Sequence, residues 1–279
     1  MLGIIDVGGG TRGVYGAGVF DRCLTDNIKF DYVIGVSAGS ANCASYCAGQ
    51  KGRNYVFYTD YAFRKEYMGL ETLKDTGSFI GLDYIYGALS NSDGEYPLDY
   101  DAMMASGVRY EIVTANALTG EPVYWQKEDM QKDCYDIIKA SCCVPFVNKP
   151  YTINGVPYYD GGIADPVPLD RAFAMGCDRV VLVLTKPKDQ LRKPGKDVVL
   201  AKRIARRYPN AARRLRLRAD WYNLGVQLAK AYEAQGKALI VAPDDTCGVD
   251  TLTRDKEAMD RLYQKGYADA EAIRGFLQP

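Results

Sequence analysis

The opening of the chain constrains the fold most. Leu2 to Val7 is a short apolar run ending in glycines, and Phe30 to Val36 is a second such run. Both have the length and bounding signals of buried strands. Between them Val14, Ala17, Phe20 and Leu24 fall at helical spacing over Gly13 to Leu24. After the second run, Ala38 to Gly49 is rich in Ala and Cys and reads as a buried helix. Strand, helix, strand, helix with short links is the start of an α/β fold, a mostly parallel sheet flanked by helices.

The remainder extends that pattern. Residues 52 to 105 are Tyr-rich and less periodic, and are expected to form helices and loops. Tyr110 to Ala115 and Pro122 to Gln126 read as two strands joined around Leu118-Thr119-Gly120. Lys132 to Ala140 reads as a helix, and Asn154-Gly155 within Tyr151 to Tyr159 is a strong hairpin signal. Arg179 to Thr185 and Leu239 to Ala242 read as further strands, with a long helical stretch between them and a closing helix over Thr253 to Phe276. The expected organisation is a core over residues 1–188 and a mainly helical C-terminal extension, 189–279, packed on it.

Composition matters chiefly through one absence. The chain has no histidine, which excludes Ser-His-Asp and Cys-His catalysis and every histidine-ligated metal. No CxxC pair is present either, so no metal is expected. Lys+Arg and Asp+Glu both number 35, which gives no argument for nucleic acid as a partner. No apolar run reaches the ~18 residues of a membrane span. The N-terminus shows no basic-then-apolar leader, so the eight cysteines are expected as free thiols in a reducing, cytoplasmic setting.

Gly8-Gly9-Gly10-Thr11-Arg12-Gly13 follows a strand and opens a helix, matching G-x-G-x-x-G. A dinucleotide site would also need an acid at the C-terminal end of the second strand, to hold the ribose. Asp31 lies near the beginning of that strand, and its end is Gly35-Val36-Ser37. A P-loop fails because no Lys-Ser/Thr follows at the required spacing. The loop otherwise suits an oxyanion hole, since glycines at a helix N-terminus present unpaired N–H groups without a Cβ in the way. A tight turn that binds nothing is the remaining reading.

Gly35-Val36-Ser37-Ala38-Gly39 is G-x-S-x-G between an apolar strand and a small-residue helix, the setting of a nucleophile elbow. The N–H of Ala38 would face the same point as the glycine loop. Serine needs a base to take its proton. Ser-x-x-Lys fails because residue 40 is Ser40, and Asp160, followed by Gly161-Gly162, is the best remaining base. Alone, that aspartate would read as a turn or helix cap.

The three motifs, in this order, resemble the patatin-like phospholipase family. Ala140-Ser-Cys-Cys-Val-Pro-Phe146 also looks like that family's segment ahead of Asp-Gly-Gly. The resemblance covers roughly residues 1–185. It implies a Ser37–Asp160 dyad, an oxyanion hole from the backbone of Gly8, Gly9 and Gly10 with Ala38, and no metal or organic cofactor. The implied substrates are acyl esters of lipids, with peripheral contact to a membrane. Acyl transfer or thioester cleavage by the same dyad is the nearest alternative, and a non-catalytic lipid- or nucleotide-binding domain is the next.

Arg12 reads either as a substrate-phosphate ligand or as a brace for the glycine loop. Asp165 reads as a cap for a helix after Pro166. Lys202 to Arg218 holds eight basic residues and no acid, interrupted at Tyr208-Pro209. A solvated helix face bracing the core is the favoured reading there, ahead of an anionic membrane surface.

Overall fold

The computed structural model describes residues 1–145 and 147–278. Phe146, the last residue of the Ala140–Phe146 segment, lies outside them. In chain order the first unit is β1 (Leu2–Asp6), α1 (Val14–Thr25), β2 (Tyr32–Val36) and α2 (Ala38–Cys47). The Tyr-rich region holds α3 (Arg53–Thr59), α4 (Leu70–Thr76) and α5 (Tyr100–Ala105). Then come β3 (Arg109–Asn116), β4 (Pro122–Gln126), α6 (Asp136–Ser141), β5 (Tyr151–Ile153) and β6 (Val156–Asp160). The last third contains α7 (Leu169–Ala174), β7 (Arg179–Val183), α8 (Asp197–Ile204), α9 (Pro209–Glu233), β8 (Ala238–Val241), α10 (Lys256–Asp269) and α11 (Glu271–Leu277).

The strands form one mixed, mostly parallel sheet in which β3, β2, β1, β7 and β8 run parallel. Helices cover both faces, so the middle of most of these strands is apolar on both sides, with buried Glu111 and Thr114 in β3 and Asp6 at the end of β1 as exceptions. Ile4, Val33, Ile112 and Val181 point into one core with α1, α2 and α10. Their neighbours Ile5, Ile34, Val113 and Leu182 point into the other, against α7 and the second half of α9. The period of two along each strand thus divides the apolar residues between the two layers.

β3 outruns β2. Their pairing stops at Val36 opposite Val113, while β4 occupies the other edge of β3 from Glu111 to Ala115. Antiparallel β6 pairs Asp160 with Thr114 and Tyr158 with Asn116. It therefore continues the β2 edge of β3 beyond the end of β2. The last residue of β6 is brought beside the residue that follows β2.

The C-terminal helices are built into this core. α10 lies so close to α1 that a Cβ at Gly18 would fall 2.2 Å from the Tyr263 carbonyl oxygen, and one at Gly266 would fall 2.0 Å from that of Tyr15. The expected single helix from Thr253 to Phe276 is two, because the chain turns at Ala270 and buries Ile273 in the core. The helix expected from Lys132 starts only at Asp136, since Asp133 has a φ of 60° and Gln131 bridges Cys134. Tyr208-Pro209 does separate two helices, with Pro209 in the first turn of α9, where its missing N–H costs nothing. Among the described residues no helix is long and apolar enough to cross a membrane.

Candidate active site

Ser37 occupies the turn between β2 and α2 with φ 57° and ψ −134°. A side-chain residue held there costs on the order of 1–3 kcal/mol and persists only where its surroundings enforce it. Here α6 supplies the brace. The Ser37 N–H donates to Ser141 Oγ at 2.9 Å, and the Ser141 hydroxyl donates to the Val113 carbonyl at 2.7 Å. The Ser40 hydroxyl donates to the Ser37 carbonyl at 2.6 Å. Ser141 lies within the family-like segment, but nothing local in the sequence marks it as the pin of the elbow.

Asp160 ends β6 and is 3% exposed, against 8% for Ser37. One carboxylate oxygen accepts the Gly162 N–H at 2.8 Å, so the cap expected of an isolated aspartate is present. The carboxylate also interacts with the Ser37 side chain. Burial raises the Asp160 carboxyl above its ordinary range; the Ser37 side chain and then the Arg218 charge oppose that rise. Ser37 and Asp160 line one cavity.

The glycine loop divides its labour. The Gly8 N–H donates to Asp6 at 2.9 Å and is therefore spent within the fold. Gly8 has a φ of 64°, and a Cβ there would meet Val36 O at 2.3 Å and Gly39 N at 2.8 Å. Its task is close contact between loop and elbow. The N–H groups of Gly9, Gly10 and Ala38 have no partner among the described residues. Loop 250–251 clamps the glycine loop from outside. The Thr11 N–H donates to Thr251 O at 3.0 Å, and the Thr11 hydroxyl to Asp250 O at 2.8 Å. Arg12 pairs with the Asp250 carboxylate and donates to Thr251 Oγ1 at 3.0 Å.

Asp6 beneath the loop is fully buried and also accepts from Asn42 Nδ2 at 2.8 Å. Burial lifts its carboxyl from 3.8 to about 6, against the hydrogen bonds from Asn42 and Gly8. The folded protein therefore holds this proton more tightly than the unfolded chain. Its contribution is complete below about pH 4 and is lost as pH rises through about 6, on the order of 3 kcal/mol in all. Asp6→Asn is expected to flatten the fall in stability across that window. Denaturant unfolding from pH 4 to 7 measures it, and equal slopes in both proteins would refute the assignment.

Two cavities meet at Ser37. A polar one of about 110 Å³ takes Gly8, Gly9, Gly10, Asp160, Arg12, Lys186, Arg192 and Arg218 in its wall. An apolar one of about 70 Å³ is walled by Phe57, Tyr58, Tyr67, Met68, Leu82 and Tyr86, with Cys142 at its edge. Asp165 is not a helix cap; it accepts the Tyr124 hydroxyl at 2.6 Å, and α7 begins only after Pro168. The solvated-face reading of the basic segment fails at Arg218, which turns to the polar cavity and pairs with buried Asp197. Sequence reasoning also missed Lys186 and Arg192, whose role depends on contacts made far along the chain. Among the described residues no cluster of His, Cys, Asp or Glu could hold a metal ion.

With the strained serine, the buried aspartate and the glycine loop in place, the class is defined: the chain belongs to the patatin-like phospholipase family, whose profile matches residues 7–173. A second profile, a domain of unknown function (DUF6363), matches residues 208–274. The chain is similar to the uncharacterized protein YjjU of Escherichia coli (strain K12), at 26% identity over 198 residues, covering 69% of this chain and 54% of that protein. It thus spans about half the length of that relative. VipD from Legionella pneumophila has a similar fold, with a TM-score of 0.50 at 13% identity over 97% of this chain and 66% of VipD.

Proposed function

We propose that this protein is a serine acyl-ester hydrolase acting on lipid esters, with Ser37 as nucleophile and Asp160 as base. One observation carries the reading. A serine held at positive φ and a buried carboxylate with a raised pKa line one polar cavity with Gly9 and Gly10, and an apolar cavity lined by Gly10 and Ala38 adjoins it at that serine. Family membership supports the lipid-hydrolase class.

The chemistry is as follows. Ser37 Oγ attacks the ester carbon while its proton passes to Asp160. The carbonyl oxygen becomes an oxyanion facing the N–H groups of Gly9, Gly10 and Ala38. Such donors are each worth about 3–4 kcal/mol when the charge forms. Collapse expels the alcohol, which takes the proton from Asp160 and leaves an ester of Ser37. Water then attacks that ester; Asp160 takes the water proton, and Ser37 Oγ recovers it as the acid departs. Leu252, exposed at the rim and shared with the apolar cavity, suits an acyl chain entering from a lipid surface.

A fluorophosphonate ester should label Ser37 alone. Intact mass and peptide mapping of wild type and Ser37→Ala would read this as one adduct, absent from the variant. A folded wild type that takes no adduct would remove the nucleophile from the scheme.

A further inference from the structure

The polar cavity is more cationic than ester cleavage requires. An oxyanion forming on the substrate carbonyl is served by backbone N–H groups, yet Arg12, Lys186, Arg192 and Arg218 all reach the same small space. Their neighbours neutralise them only in part. Asp250 takes Arg12 and Asp197 takes Arg218, while Arg192 comes no nearer to Asp197 than 3.8 Å. Lys186 forms no ion pair among the described residues. Arg12 Nε is buried without a hydrogen-bond partner.

The cations are also held in place. Asn223 on α9 fixes the Arg192 backbone, accepting its main-chain N–H at 2.8 Å and donating to its carbonyl at 2.9 Å. The Arg192 guanidinium lies 5.6 Å from the centre of the Tyr222 ring. Burial, then the Arg218 charge, brings the Arg192 guanidinium down to about 10, and burial with Arg12 and Arg192 lowers Lys186. Like charges crowded out of water are an arrangement that an arriving anion would relieve.

We propose that this cavity selects lipid esters whose alcohol portion carries a net negative charge next to the scissile bond, gripped by Arg12, Lys186, Arg192 and Arg218 while the acyl chain enters the apolar cavity. The proposal rests on the hydrolase reading. Three of the four cations lie beyond the patatin-like match: Lys186 and Arg192 follow it, and Arg218, like Tyr222, stands in the domain of unknown function. That domain thereby supplies one wall of the active site. Zwitterionic head groups would bring a cation against this wall, and neutral ones would leave it unsatisfied.

The test compares three lysolipids of one acyl chain, with phosphate monoester, phosphocholine and glycerol head groups. Wild type is expected to favour the phosphate monoester in kcat/KM by at least about tenfold over the other two. Arg192→Gln should lower kcat/KM on the phosphate monoester about tenfold more than on the glycerol ester, and Arg218→Gln likewise. Equal kcat/KM for all three in wild type would overturn the head-group proposal and leave the hydrolase reading standing. A second readout needs no turnover. Calorimetric titration should show glycerol 1-phosphate binding to wild type at least about tenfold more tightly than inorganic phosphate, and loss of its binding in Arg192→Gln. Binding of both ligands alike would mark an anion site indifferent to the glycerol and overturn the ester assignment. Absence of binding by either would overturn the anion site whether or not the protein cleaves esters.

Discussion

Asp160→Asn is expected to leave the protein folded and to lower lipid-ester turnover about a thousandfold, within the range general-base catalysis commonly contributes. The amide keeps the shape of the side chain and its acceptor for the Gly162 N–H, which the native carboxylate binds at 2.8 Å. It cannot take the Ser37 proton. The pH profile of the wild type supplies a second signature. Only the ionised carboxylate acts as base, and burial raises its pKa, so kcat/KM should fall as pH drops through a value above the ordinary aspartate range. Ester assays across pH, with circular dichroism as the control for folding, decide the matter. A folded variant that retains most of its turnover would mean that another group takes the proton.

Gly8→Ala is expected to cost about 3 kcal/mol of stability and to reduce turnover about a hundredfold. Two independent penalties act at once. The native φ of 64° is unfavourable for alanine, and the added Cβ would stand 2.3 Å from Val36 O and 3.0 Å from Ala38 N. Both contacts are backbone, so no side chain can swing away. The loop must shift, carrying the N–H groups of Gly9 and Gly10 with it. Gly49→Ala is the comparison, because Gly49 has a φ of 69° with nothing within 4 Å of an added Cβ. Thermal unfolding of the two variants separates strain from collision. Equal losses in both would show that the contact between loop and elbow carries no weight.

The parts of this molecule legible in the sequence are those written in local pattern. Short apolar runs marked β1 and β2, and the Asn154-Gly155 turn, with φ values of 50° and 79°, marked the β5–β6 hairpin. The serine and aspartate could be named because their motifs flank strands. What local pattern could not carry is the pairing that joins them, since the overhang of β3 past β2 is a matter of register between segments far apart. The same holds for Asp6, whose carboxylate occupies the Gly8 N–H, and for Ser141, which reaches across to Ser37. Arg214 and Arg218 are one helical turn apart and looked alike in sequence. Tertiary contacts separate them, Arg214 to Glu121 at the surface and Arg218 to Asp197 beside the cavity.

The clamp of loop 250–251 on the glycine loop also sets an order of events during synthesis. Thr11 leaves the ribosome 239 residues ahead of Asp250. Until Asp250 and Thr251 follow, Thr11 and Arg12 lack the groups that hold them, and β8 has not yet joined β7 at the edge of the sheet. The strained serine is made well before the residues that clamp the glycine loop beside it. A chain made in this order keeps its glycine loop unclamped throughout the synthesis of the residues between Thr11 and Asp250.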